Sequence, residues 1–189
     1  ETHANVGQAA TLNKGWGMAG GDILGYLSAD DVLAPQAARK AVAALTDNPR
    51  AVAAYPDFNL IDPHSAVVRI VRAPDFDFCR ALLGNECLPG PGAFFLGETL
   101  RKAGGWNPAF KQLPDYDFWL RLGLHGEFIH LREVLAGFRV HPGSQTYGTA
   151  TPERAEEPVA IISAILANAQ LPEAASRLQE PALANAHLF

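Results

Sequence analysis

Cysteine is scarce in this chain, with two among 189 residues, Cys79 and Cys87. Their spacing fits neither a metal site nor a redox motif, so we interpret both as free thiols, which favours a reducing cytoplasm. Long apolar runs are lacking too. The longest near the C-terminus, from Val159 to Ala167, falls far short of the ~20 residues of a spanning helix. We therefore expect a cytoplasmic protein, and peripheral association with the inner face of the membrane stays open.

Clustered positive charge is also lacking. The net charge is −5 and the 15 Lys and Arg residues are scattered, so the sequence offers no surface for a phosphate backbone, and we expect no nucleic-acid partner. Neither a GxxxxGK[ST] phosphate loop nor a GxSxG nucleophile turn occurs. Apolar side chains, in contrast, are abundant. Hydrophobic residues make up 48% of the chain, which is enough for one good core in a globular protein.

Helical and extended patterns alternate along the first part of the chain. Residues 8–19 carry apolar side chains at helical spacing, and "DILGYLS" (22–28) predicts a short buried strand. "PQAARKAVAAL" (35–45) predicts a second helix, and "AVAAY" (51–55) a second strand. This order favours an α/β layer with parallel strands.

The rest of the chain is less regular. It predicts an edge strand at 66–71, a short helix at 76–83, a Pro- and Gly-rich loop entering a strand at 87–97, a helix at 98–106, a strong helix at 113–126, extended segments at 127–131 and 134–140, and one or two helices from 152 onward. We therefore divide the chain into an α/β domain at residues 1–150 and a helical extension at 151–189.

One acidic pair directly follows a predicted strand. Ligands of open α/β sheets gather at the carboxyl ends of the strands, where Asp30 and Asp31 would lie. Carboxylates there suit a hard cation such as Mg²⁺ or Mn²⁺, which is commonly shared with substrate phosphates. Alternatively, the two acids cap the helix that opens near Pro35. The residues alone leave both interpretations open.

A second acidic pair lies in the first turn of the helix at 113–126. Asp117 can pair with Arg121 at i,i+4, which favours a structural role. Asp115 has no such partner in the sequence and is the better candidate for a general base. His141 follows a predicted strand; an isolated histidine is usually structural, but in company with acids its neutral ring can ligate a metal.

Taken in order, these segments resemble the family-2 glycosyltransferases, nucleotide-sugar enzymes of the GT-A fold, especially the bacterial branch that adds sugars to cell-surface polysaccharides. The resemblance spans residues 7–146 and lies in "GQAATLNKG", "AGGDILGYLSADDVLAP", "NPRAVAAYPDFNLID", "LPGPGAFFLGETLRKAGGW", "DYDFWLRL" and "LAGFRVHPGSQT". It implies a Rossmann-like GT-A fold, with a mixed sheet flanked by helices and a helical C-terminal tail. Family members normally begin with further strand and helix units, so it also implies that the first βαβ part is missing and that this fragment is inactive or weakly active.

The resemblance assigns the donor side of the site. Asp30 matches the metal-binding acid of a DxD-like motif, with Asp31 beside it and Ser28 in place of the motif's first acid, which implies a lower metal affinity. His141 matches a histidine that reaches the metal or the diphosphate in some members. Asn13, Lys14 and Asp117 are assigned to substrate binding.

The resemblance also assigns the acceptor side. Asp115 matches the catalytic base, with Pro114 where a Glu is usual, and the loop from Leu88 to Phe95 is expected to face the acceptor. The implied reaction is an inverting, Mg²⁺- or Mn²⁺-assisted transfer from a nucleotide-diphospho-sugar to a glycan or lipid-linked acceptor, in polysaccharide or glycan biosynthesis.

Two other functions compete with sugar transfer. One is a noncatalytic carbohydrate-binding or assembly module that keeps the same scaffold and uses the acids as helix caps. The other is a metal-dependent nucleotidyltransferase, which would release pyrophosphate instead of a nucleoside diphosphate. A sheet without its first strands would also expose an edge, so we expect a homo-oligomer formed through that edge or through the C-terminal helices.

Overall fold

The computed structural model describes residues 4–86, 89–141, 143 and 152–188. The helices are α1 (Gln8–Met18), α2 (Ala37–Asp47), α3 (Phe78–Gly84), α4 (Gly97–Ala103), α5 (Pro114–Gly123), α6 (Pro152–Leu166), α7 (Glu173–Ser176) and α8 (Gln179–Ala186). The strands are β1 (Ile23–Gly25), β2 (Val32–Leu33), β3 (Ala51–Ile61), β4 (Val67–Val71), β5 (Phe94–Leu96) and β6 (Glu127–Arg139).

The six strands form one mixed sheet in the order β1-β5-β3-β6-β2, and β4 pairs with the second half of β3. The strands β3 and β6 pair in parallel, whereas β5 runs antiparallel to both β1 and β3. The alternation of elements predicted a layer of parallel strands. That prediction is wrong in detail, because β5 lies between β1 and β3 and is antiparallel to both. The mixed sheet that the resemblance implied is confirmed.

Both central strands are longer than their sequence patterns predict. Pro56 lies next to a register shift in β3, so the strand continues past a residue that cannot donate to the ladder. In β6, Leu131 pairs with Pro56 and Val134 pairs with Asp57, which leaves the two residues between them bulged out. The bulge explains why the sequence shows two separate extended segments where the structure has one strand.

The sheet is covered on both faces. Small residues of β3 pack against α2 on one face, through a cluster that includes Ala41 and Leu45. The other face carries an aromatic cluster in which the ring of Trp16 stacks on Phe118 at 5.5 Å and meets Phe95 edge-on at 5.4 Å. These contacts fix α1 and α5 against the end of the sheet where the candidate site lies.

The first of the C-terminal helices, α6, packs against α5. Ile161, Ile162 and Ile165 of α6 are fully buried and form one apolar cluster with Tyr116 and Leu120. The predicted C-terminal helices are thus present. The division into a domain at 1–150 and an extension at 151–189 stays a prediction.

Strand β4 is the exposed edge that the sequence predicts. Val67, Val68 and Ile70 are 57%, 62% and 52% exposed, so apolar side chains line this edge. The homo-oligomer expected through the edge that missing first strands would expose, or through the C-terminal helices, stays a prediction. Within the described ranges, no helix combines the length and the apolar character needed to cross a membrane. Cys79 is a free thiol, and Cys87 lies outside the described residues.

A buried carboxylate ties β3 to the segment that leads into α3. Asp57, 2% exposed, accepts hydrogen bonds from Arg72 Nη1 at 2.6 Å and from the Ala73 amide at 3.0 Å. Its Oδ1 also lies 2.8 Å from His130 Nε2. Burial by itself raises the pKa of Asp57, but the hydrogen bonds from Arg72, His130 and Ala73 outweigh it and lower the pKa below its usual 3.8.

Replacement of Asp57 by asparagine is expected to lower the free energy of unfolding by about 2 to 4 kcal/mol at pH 7, because it leaves the partners of a buried charge unpaired. Since the folded-state pKa is lowered, this stability is present above the usual pKa of the carboxyl group and is lost as the pH falls through the folded-state pKa. Urea unfolding at pH 7 and pH 3 measures both effects, with the exposed Asp47→Asn as control. Equal unfolding of the two variants at pH 7 would contradict the account.

Candidate active site

A cavity of about 630 Å³ opens at the carboxyl end of β1, between the start of α1 and the start of α5. Both acidic segments singled out in the sequence reach it, because Asp30 and Asp115 line the same space. Its described walls are Asn5, Gly7, Gln8, Thr11, Leu12, Tyr26, Leu27, Ser28, Ala29, Asp30, Asp31, Pro89, Gly90, Pro91, Trp106, Gln112, Pro114, Asp115 and Phe138.

Asp30 is presented by a tight turn directly after β1. The amide of Asp31 donates to the carbonyl of Ser28 at 3.1 Å, which closes the turn and leaves Ser28, Asp30 and Asp31 on the cavity wall. The Nε2 atom of His141 lies 3.0 Å from Asp30 Oδ2. The two residues predicted to bind the metal are thus brought together from segments 111 residues apart.

The donor set of this pair fits a divalent cation. A carboxylate and an imidazole are ligands that Mn²⁺ accepts, and Mg²⁺ sites of few protein ligands are completed by water and substrate phosphates. Among the described residues, no cluster of three or more His, Cys, Asp or Glu side chains could hold a metal alone. A cation held by Asp30 and His141 would complete its coordination with oxygen atoms of water or of a substrate phosphate.

Arg139, at the end of β6, holds the turn in place and was missed from the sequence. Its amide donates to Asp31 Oδ1 at 2.9 Å and its Nε to the carbonyl of Asp30 at 2.7 Å. The rest of the guanidinium bonds the Asp62 carbonyl at 2.7 Å and Ser65 Oγ at 3.1 Å. The sequence did carry one signal for Arg139. Alternate residues of a strand lie on the same face, and Arg139 is two residues before His141, so both could be expected to reach Asp30.

Asp31 differs from Asp30 in its surroundings. Burial raises the pKa of Asp31, against the lowering effect of the hydrogen bond from the Arg139 amide, and the neighbouring charge of Asp30 raises it further. A carboxylate that already accepts an amide hydrogen is less available for a cation. Asp31 therefore anchors the turn, and the role of Asp30 as a metal ligand stays a prediction.

Asp115 lies in the first turn of α5 and faces the same cavity. Its Oδ1 accepts the amide hydrogen of Tyr116 at 3.0 Å, so the carboxyl group is oriented by its own helix. The role of base stays a prediction, and the location beside the cavity supports it.

Asp117 lies away from the cavity lining. It is 4% exposed, and its Oδ2 accepts from Arg121 Nη2 at 2.6 Å and Nε at 3.1 Å, so the ion pair expected from i,i+4 spacing is present. The same guanidinium also donates to the carbonyls of Ala103, Gly104 and Gly105, after α4. These contacts favour the structural alternative over the assignment of Asp117 to substrate binding.

Asn13 and Lys14 are also outside the described cavity lining. The Asn13 side chain forms two 2.8 Å hydrogen bonds with the backbone of Trp106, donating to its carbonyl and accepting from its amide. A Cβ on Gly105 would lie 2.1 Å from Asn13 Oδ1, so only glycine admits this contact. Asn13 thereby holds Trp106 at the cavity wall, and direct substrate contact by Asn13 and Lys14 stays a prediction.

Two further wall residues, Trp106 and Gln112, were not singled out in the sequence. Among the described side chains, Trp106 Nε1 and Gln112 Oε1 are buried polar atoms without a hydrogen-bond partner. The predicted acceptor loop is described from Pro89 onward and contributes Pro89, Gly90 and Pro91 to the wall; Leu88 lies outside the described residues.

The glycines at 15, 17 and 20 match the GxGxxG pattern of dinucleotide-binding loops. They lie within and just after α1, not between a strand and a helix, so they do not form such a loop.

Comparison with known structures identifies the fold. The structure superposes on the S. aureus TarS fragment 1–349 in complex with UDP-GlcNAc with a TM-score of 0.71 and 16% identity, covering 96% of this chain and 53% of that one. The Pyrobaculum calidifontis mannosyltransferase PcManGT, in complex with GDP-Man and Mn²⁺, matches with a TM-score of 0.61 and 18% identity, covering 97% of this chain and 53% of that one. The fold is therefore that of the GT-A glycosyltransferases.

The sequence comparisons point to a family. Residues 1–79 match the profile described as Glycosyl transferase family 2. An uncharacterised glycosyltransferase of Mycobacterium tuberculosis, present in strains CDC 1551 and H37Rv, is 30% identical over 139 residues, which is 73% of this chain and 52% of the relative. These matches support the assignment to glycosyltransferase family 2 that the sequence motifs implied. It spans about half the length of the curated relatives it matches.

Proposed function

We propose that the full-length protein transfers a sugar from a nucleotide-diphospho-sugar to an acceptor hydroxyl, in bacterial polysaccharide or glycan synthesis, and that this cavity is its reaction site. The observation that carries the proposal is the convergence of Asp30 and Asp115 on one cavity from distant segments. Two structural neighbours are bound to donors of this class, UDP-GlcNAc in TarS and GDP-Man in PcManGT, which supports the same donor class here.

In the proposed inverting reaction, the acceptor oxygen forms a bond to the anomeric carbon as the bond from that carbon to the diphosphate breaks. Asp115 takes the hydroxyl proton of the acceptor, and the electron pair of the broken bond leaves with the nucleoside diphosphate. Asp30 and His141 would hold Mg²⁺ or Mn²⁺, with Ser28 and Asp31 beside them. Such an ion, when bound, supplies positive charge that offsets the charge on the departing diphosphate.

The chain's own residues supply the arrangement for this chemistry. Arg139 and the Ser28–Asp31 turn fix the donor-side acid, and α5 carries the acceptor-side acid. Because the two acids come from different elements that line one cavity, we propose that a donor and an acceptor lie between them. The acceptor is proposed to be a glycan or a lipid-linked sugar, and the site is proposed to work in the cytoplasm at the inner face of the membrane.

The proposal is tested by assaying the full-length protein against UDP-, GDP- and dTDP-sugars with Mg²⁺ or Mn²⁺ and measuring the released product. Release of a nucleoside diphosphate is expected with at least one donor, dependent on the cation. Release of pyrophosphate from a nucleoside triphosphate and a sugar phosphate would instead indicate a nucleotidyltransferase. No cation-dependent nucleotide binding at all would favour the noncatalytic module.

A further inference from the structure

A carboxylate from the C-terminal helix α6 is buried against the segment that leads into α5. Glu157 is 7% exposed, and its Oε1 accepts the amide hydrogens of Lys111 at 2.6 Å and Gln112 at 3.2 Å. Its Oε2 accepts those of Gln112 at 2.8 Å and Leu113 at 2.9 Å. Three consecutive backbone amides thus converge on one side chain that comes from more than forty residues further along the chain.

These contacts hold the segment directly before α5, which has no local side-chain cap. The N-cap residue is Leu113, whose side chain makes no capping hydrogen bond, and the next residue is Pro114, which has no amide hydrogen. A carboxylate beside the positive end of a helix is also favoured by the helix dipole. Glu157 thereby anchors the three residues directly before Pro114, the first residue of α5, and Asp115 is the second residue of that helix.

We propose that Glu157 is a positioning residue for the acceptor side of the cavity, an inference that rests on the proposed function. By holding residues 111–113, it fixes the entry of α5 and with it the carboxyl group of Asp115. It also fixes the backbone of Gln112, whose side chain lines the same cavity. The helix α6 is thereby a part of the catalytic unit, anchored to α5 by Ile161 and Ile165 packed in one cluster with Tyr116 and Leu120.

The test uses Glu157→Gln in the full-length protein, because glutamine keeps the size of the side chain but replaces one accepting oxygen by an NH₂ group that opposes the backbone amides. Displacement of a catalytic group by about 1 Å can cost about 100-fold in rate, so we expect kcat to fall at least about 10-fold with the KM for the donor within about twofold. The matched control is Glu156→Gln, the exposed neighbour on the same helix, which is expected to retain wild-type kcat.

Amide hydrogen exchange at residues 111–113 gives a readout that needs no turnover. These amides are expected to be protected in the wild-type protein and to exchange at least about 10-fold faster in Glu157→Gln, whereas Glu156→Gln leaves them protected. A kcat per folded molecule equal in the two variants would overturn the inference, as would unprotected amides in the wild-type protein. If the wild-type protein turns over no donor, the proposed function fails and the positioning role fails with it, whereas the exchange rates of Glu157→Gln against Glu156→Gln still decide whether Glu157 holds residues 111–113.

Discussion

The Asp115→Asn variant of the full-length protein is expected to lose activity by about 10² to 10⁴ in kcat, because the amide cannot accept the proton of the acceptor hydroxyl. The donor KM and the melting temperature are expected to change little, since asparagine keeps the side-chain size and its Oδ1 can still accept the Tyr116 amide hydrogen. The measurement is the rate of nucleoside diphosphate release at saturating donor and acceptor, together with a thermal melt.

Asp117→Asn is the matched control for this variant, two residues further along the same helix. Asp117 is buried against Arg121, so its replacement is expected to lower the melting temperature while the kcat per folded molecule is largely retained. A wild-type transfer rate in Asp115→Asn would remove the proposed base.

The second large effect is expected at the donor-side acid. Asp30→Asn is expected to weaken cation-dependent donor binding and to lower kcat/KM by about 100-fold, because it removes the charged ligand of the proposed cation site. The loss should be smaller at higher Mn²⁺ concentration. Titration of donor binding and of activity against Mn²⁺ measures both.

Asp31→Asn separates this effect from a general disturbance of the turn. The asparagine Oδ1 can still accept the Arg139 amide hydrogen, and the carboxyl group that it replaces is one whose pKa burial already raises. We therefore expect the Mn²⁺ dependence of this variant to change by less than about tenfold, below the range for disturbed metal sites. Equal Mn²⁺ dependence of wild type and Asp30→Asn would show that Asp30 holds no cation.

The sequence predicted the elements whose patterns are local. The helix α1 closes where its apolar spacing ends, and α4, predicted at 98–106, ends at Ala103 because Gly104, with φ of 79°, leaves the helical conformation. The strand β2 was missed because its two residues, Val32 and Leu33, carry no periodic signal and are extended only through pairing with β6. The position of β5 between β1 and β3 is likewise set by long-range pairing that no local pattern encodes.

The site shows the same division between local and long-range information. Asp30, Asp115 and His141 were found because acids after a strand, acids at a helix start and a histidine at a strand end are local patterns. Arg139 and Glu157 were missed because their roles exist only after folding brings them to backbone groups far away in the sequence. Asn13 was singled out in the sequence for substrate binding, but in the structure its side-chain amide is hydrogen-bonded to the backbone of Trp106.

The central claim is that Asp30 and Asp115 serve opposite sides of one reaction site. It is tested most directly by locating Mn²⁺ from its anomalous scattering in crystals of the full-length protein grown with Mn²⁺ and a nucleoside diphosphate. We predict that the ion is bonded to the carboxyl group of Asp30, with the diphosphate in the cavity and Asp115 across it. An ion and diphosphate bound elsewhere, with Asp30 in contact with neither, would contradict the account.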